Sequence, residues 1–131
     1  MSDVNNRPTI LTKDSRGRAS LRRYSFPSVL LDGATAPTAN LIIAAPDHEE
    51  LHLSSLVFTD ASGGTSDIAL YITTNAAPVA GDIVFRGKTI ENSEGYLDLS
   101  SLFFLNPGHS LFATASSAND VLVTGWVTAY L

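Results

Sequence analysis

Beyond residue 38 the sequence falls into short apolar runs of β type, each closed by a turn signal, with no stretch patterned for a helix. The runs are ANLIIAA at 39–45, ELHLSSLVFTD at 50–60, DIALYITT at 67–74, DIVFRGKTI at 82–90, YLDLSSLFFL at 96–105, SLFATAS at 110–116 and DVLVTGWVTAYL at 120–131. Short runs recurring between turn signals specify a sandwich or barrel, and the lack of intervening helices argues against a parallel βαβ sheet. Short consecutive connections favour antiparallel pairing, with one or two longer crossovers. The expected fold is all-β: an antiparallel, jelly-roll-like β-sandwich of about seven to eight strands.

Alternation assigns faces within these runs. In 67–74, Ile68, Leu70 and Ile72 face inward and Ala69, Tyr71 and Thr73 outward. In 50–60, Leu51 and Leu53 share one parity while Leu56 and Phe58 share the other. Such a phase shift needs an extra residue, so a β-bulge is expected near Ser54 and Ser55. In 82–90, Ile83 and Phe85 share a face, Arg86 and Lys88 lie near the other, and Gly87 marks a bulge or kink. Two turns carry their own chemistry. Ser62-Gly63-Gly64 joins two runs, and in Asn106-Pro107-Gly108 the proline presets φ while the glycine accepts positive φ.

The first 38 residues read differently. They lack sustained periodicity, are interrupted by Pro8, Pro27 and Pro37, and end in the small-residue segment DGATAPTAN at 32–40. The expected division is an extended basic arm and linker over 1–38 and a sandwich over 39–131. Charge supports it: residues 1–31 hold six of the eight basic groups and two acids, whereas the remainder holds only Arg86 and Lys88 against eleven acids. A basic segment joined to an acidic body is the pattern of an interaction arm, or more plainly of a solubilising terminus. Spaced anchors such as Tyr24 and Phe26 favour the arm, which can order itself in a partner's groove.

The closing run has a small aliphatic face (Val121, Val123, Gly125, Val127, Ala129, Leu131) suited to the core. Its other face carries Leu122, Trp126 and Tyr130 without a charge. Aromatic enrichment with charge depletion points to a subunit interface; the alternative is a strand covered on both sides within one chain.

Chemistry-bearing patterns are sparse, and no enzymatic activity or cofactor is expected. The chain has no cysteine, which excludes disulfides and thiolate metal sites and fits a reducing compartment. No G-x-S-x-G elbow or phosphate-cradling glycine loop is present. His48 and His52 are four apart, but on a strand that spacing does not bring them together, so no metal is expected. No apolar run is long enough for a membrane span, and no secretory signal pattern is read at the start. The segment RGRASLRRYSF at 16–26 mixes arginine with aromatics in the manner of single-strand binders. The acidic body would repel a polyanion, so a protein partner is favoured over nucleic acid.

Three passages, LSSLVFTDASGGTSDIALYIT, YLDLSSLFFLNPGHSLFATAS and DVLVTGWVTAYL, give the region 49–131 a style and spacing. In these it resembles the compact β-sandwich modules of tailed-bacteriophage virion proteins. The resemblance implies a homotrimer made in the host cytoplasm and placed on the virion, as a capsid cement or decoration protein or as a tail appendage. It further implies an arm, with Arg16, Arg18, Arg22, Arg23, Tyr24 and Phe26, that staples the major capsid protein or another virion protein. A tail-tip or fibre component holding host-surface glycan, with contacts around 62–65 and 92–95, and a small coat protein with a nucleic-acid-binding arm are the alternatives. The family's motifs carry no catalytic or receptor-binding residue over to this chain.

Overall fold

A computed structural model of the chain describes residues 20–61, 65–89 and 96–130. The strands are β1 (Ser20–Ser25), β2 (Val29–Leu31), β3 (Asn40–Ala44), β4 (Glu50–Asp60), β5 (Asp67–Thr73), β6 (Ile83–Lys88), β7 (Tyr96–Asp98), β8 (Phe104–Leu105), β9 (Ser110–Ala115) and β10 (Val121–Tyr130). They form two antiparallel sheets. The first runs β1-β10-β4-β7, with β2 also on β10 and β8 also on β4; the second runs β3-β9-β5-β6. The β1/β2 and β7/β8 pairs are each one interrupted edge, so both sheets are four strands wide. With that reduction the strand order is that of a jelly roll.

Most consecutive strands lie in opposite sheets, and β5–β6 is the one sequential pair that is hydrogen-bonded among the described strands. The expected antiparallel pairing is therefore present, but between strands distant in sequence. Packed sheets lie only ~10 Å apart, so a short connection crosses between them as readily as it turns back.

The core lies between the sheets. Phe58, Leu56, Leu53 and Leu51 of β4 meet Leu70 and Leu111 of the second sheet, with Val121, Val123 and Val127 beside them, and all are fully buried. The phase change in β4 is a β-bulge where expected. Trp126 pairs with Ser55 and Thr128 with His52, so one residue of β10 faces two of β4. The extra residue lets Leu51 and Leu53, and then Leu56 and Phe58, all reach the core. The crossing at this bulge is close: a Cβ on Gly125 would lie 1.9 Å from the Ser55 carbonyl oxygen and 2.9 Å from the Phe26 ring.

The Asn106-Pro107-Gly108 turn forms as its chemistry dictates. Gly108 has φ 81°, and the His109 N–H donates to the Asn106 carbonyl at 3.0 Å. The turn expected at Ser62-Gly63-Gly64 lies outside the described residues.

Three expectations are corrected. First, the sandwich does not begin at residue 39. Residues 20–31 supply β1 and β2, both paired with β10, and Phe26 and Leu31 are buried in the core. The ten-residue β10 would otherwise present an open edge, and an interrupted pair of short strands covers it without any periodicity visible in sequence.

Second, the 32–39 segment is not a loose linker. Asn40 Oδ1 accepts from the Asp32 and Gly33 N–H groups at 2.9 and 3.3 Å, and its Nδ2 donates to Asp32 at 3.0 Å. The segment carries a single 3-10 turn (Ala36–Thr38) whose Ala36 packs on Ala69, Tyr71 and Phe112. Ala69, Tyr71 and Thr73 thus face away from the main core, as alternation requires, and are nevertheless buried.

Third, the irregularity in β6 is not at Gly87. Leu70 pairs with Phe85 but Tyr71 with Ile83, so the bulge is at Val84. It sends Phe85 to the main core and Ile83 to the outer cluster, on opposite faces of the strand.

Candidate functional site

The six basic and aromatic residues expected to act together as an arm are separated by strand alternation. Arg16 and Arg18 lie outside the described residues. Within β1, Arg22 and Tyr24 turn toward the sandwich. The Arg22 guanidinium lies 4.8 Å from the Tyr24 ring and donates to Glu49 Oε1 at 3.1 Å. Glu49 is buried, so this ion pair ties the edge strand to the loop before β4 and is a structural contact. Phe26 belongs to the core. Only Arg23 faces out, 5.8 Å from the Trp126 ring. Arg23, Tyr24, Ser25 and Trp126 line a shallow depression of about 330 Å³.

The three residues expected at a subunit interface also divide. Leu122 and Trp126 are exposed, at 36% and 37%, whereas Tyr130 is buried within the protomer and offers no open surface. Leu122 is joined by residues that the sequence did not single out for this face. Register places Leu30 beside it on β2, Thr59 beside it on β4, and Tyr96 beyond Thr59 on β7. Residues directly opposite in an antiparallel pair share a face. Leu30, Leu122, Thr59 and Tyr96 are therefore one uncharged row across the outside of the first sheet, with Leu30 46% and Tyr96 41% exposed. Along the same face, His52 stacks on the exposed Phe104 with ring centroids 4.3 Å apart. Leu30 and Tyr96 were hidden because each belongs to a three-residue strand whose partner is far away in sequence.

The outside of the second sheet is different. A groove of about 610 Å³ runs over β9, β5 and β6, with Ala69 and Thr114 on its floor, Tyr71 at one end, and Arg86 and Lys88 on β6. Lys88 pairs with Asp67 at 2.5 Å. The signal in the sequence was the placement of the only two basic residues after residue 31 on one short strand.

At the end of β7, Asp98 accepts from the Ser100 hydroxyl at 2.5 Å and the Ser100 N–H at 2.9 Å. These donors hold its carboxyl below the ordinary carboxylate value, the hydroxyl having the larger effect. Among the described residues no three His, Cys, Asp or Glu side chains are grouped closely enough to hold a metal ion. Among them, too, no helix is long and apolar enough to cross a membrane.

Comparison with known proteins finds no family model, curated protein or solved structure that matches this chain.

Proposed function

We propose that this protein is a non-enzymatic virion structural protein: a capsid cement or decoration protein whose jelly-roll heads associate as a homotrimer. The observation that carries the proposal is the uncharged Leu30–Leu122–Thr59–Tyr96 row on the outside of the first sheet, with Trp126 two rows further along β10. An aromatic and aliphatic surface of this kind is matched by burial against another protein surface, and a second copy of the same face supplies it. The basic segment before β1, with Arg7, Lys13, Arg16 and Arg18, carries the charge to grip an acidic surface of the major capsid protein or another virion protein. Three such segments on one trimer act at high effective concentration. Arg22, Tyr24 and Phe26 take no direct part, since they serve the fold.

Two measurements test the proposal. Light scattering over a range of concentrations is expected to give a trimer mass, and a monomer throughout would overturn self-association. Deleting residues 1–19, which spares β1, is expected to abolish co-sedimentation with purified capsids; retained binding would remove the role of the basic segment. A second reading, a tail-tip or fibre component that holds a host-surface glycan, is favoured by the groove on the second sheet, which Arg86, Lys88, Thr114 and Ser116 line. Electron microscopy of labelled particles separates the two by position.

A further inference from the structure

The groove on the second sheet is assembled by register. Arg86, Ala69 and Thr114 form one cross-strand row over β6, β5 and β9, and Lys88 and Asp67 form the next. Its volume of about 610 Å³ suits a small ligand.

Three features of it have no role in the fold. Thr114 is 4% exposed and Tyr71 6%, yet neither hydroxyl makes a hydrogen bond to protein among the described residues. Buried polar groups are ordinarily satisfied, and an orphan pair lining one groove points to a partner from outside. The exposed Arg86 guanidinium makes no ion pair among the described residues, whereas Lys88 beside it is held by Asp67. Finally, Arg86 and Lys88 are the only basic residues between 32 and 131, and both line this groove on a body that otherwise carries acids. Charge of the minority sign has been gathered at one place.

We infer that this groove binds an acidic saccharide through its carboxylate and hydroxyls. The planar Arg86 guanidinium matches a carboxylate with two parallel hydrogen bonds. The Thr114 and Tyr71 hydroxyls each donate and accept, which suits neighbouring sugar hydroxyls. Ser116 Oγ already accepts from the Asp67 N–H at 2.8 Å and keeps its own proton to donate. Ala69 and Ala34 leave room for the apolar face of a pyranose ring. An acidic peptide would satisfy Arg86 but would leave the buried hydroxyls without matched partners. The inference does not depend on the virion assignment, since such a site can sit on a decoration protein or on a tail component.

The test is a titration of the full chain, followed by amide chemical shifts, with trigalacturonate and sialyllactose as probes for uronate and sialate, lactose as the neutral control and a hexaglutamate peptide as the rival. Binding of either acidic saccharide is expected, with shifts centred on Thr114 and Arg86 and at least about tenfold weaker binding of lactose. Arg86→Ala, at an exposed position, is expected to weaken saccharide binding about tenfold or more with unchanged melting, and Thr114→Val several-fold. The inference is overturned if neither saccharide binds at about 10 mM, if Arg86→Ala leaves binding intact, or if hexaglutamate binds as tightly as the saccharides.

Discussion

The outer faces of the two sheets arise from the same alternation, yet they present opposite chemistry. Across β2, β10, β4 and β7 the outward residues Leu30, Leu122, Thr59 and Tyr96 make an uncharged, largely apolar row. Across β9, β5 and β6 the outward residues are half covered by the protein's own 32–39 segment, and the uncovered half is a groove with a guanidinium and two orphan hydroxyls. The difference teaches that an outward position on a jelly roll is not a solvent position. What a face does depends on which loop folds over it and on which residues the register brings alongside.

The largest effect is expected where the fold itself positions the first face. Gly125→Ala drives a Cβ into the Ser55 backbone carbonyl, so the bulge that places Trp126 cannot form as built. A loss of about 3 kcal/mol or more is expected in urea unfolding, because backbone cannot yield as a side chain can. A loss under about 1 kcal/mol would show that the crossing is looser than described.

Next come paired substitutions that set the faces against each other. Trp126→Glu is expected to weaken self-association about a hundredfold, seen by light scattering, while leaving saccharide titration unchanged. Arg86→Ala is expected to do the reverse. If either variant moves both readouts, the faces are coupled and the comparison fails.

A smaller effect is expected from Arg22→Ala, which leaves the buried Glu49 without its cation. The Arg22 side chain is more than half exposed, so solvent screens the pair and the expected loss is about 1 kcal/mol in thermal or urea unfolding. No loss would mean that β1 is held by its backbone ladder alone.

The smallest effect is at the edge of the first face. Ser100→Ala removes the stronger donor to Asp98 and should raise that carboxyl toward its ordinary value, measurable by NMR titration. Because the folded value is depressed, the group contributes stability above the ordinary carboxylate value, and the contribution is lost as pH falls through the lowered one. The variant should therefore show less acid-dependent loss of stability. An unshifted Asp98 would assign the depression to another cause.

Sequence alone reached the all-β sandwich, the boundaries of β4, the Asn106–Gly108 turn and, within one residue, the β4 bulge, expected near Ser54 and Ser55 and found at Leu53 and Ser54. Each is a local matter: parity along one strand, or φ at one proline and one glycine. The sites were less legible. Trp126 and Leu122 stood out because β10 is long enough to show both of its faces, whereas Leu30 and Tyr96 sit in strands too short for any period to appear.

What only tertiary structure decided is which strand lies beside which. Residues 20–31 look like a tail until β10 supplies their ladder, and Arg22, Tyr24 and Phe26 look like a binding motif until pairing packs Tyr24 and Phe26 on the core and brings Arg22 to Glu49. Composition and periodicity encode the face each residue turns to, since that follows from neighbours along the chain. Partners across a sheet are set by burial summed over the whole molecule, and no short window of sequence contains that sum.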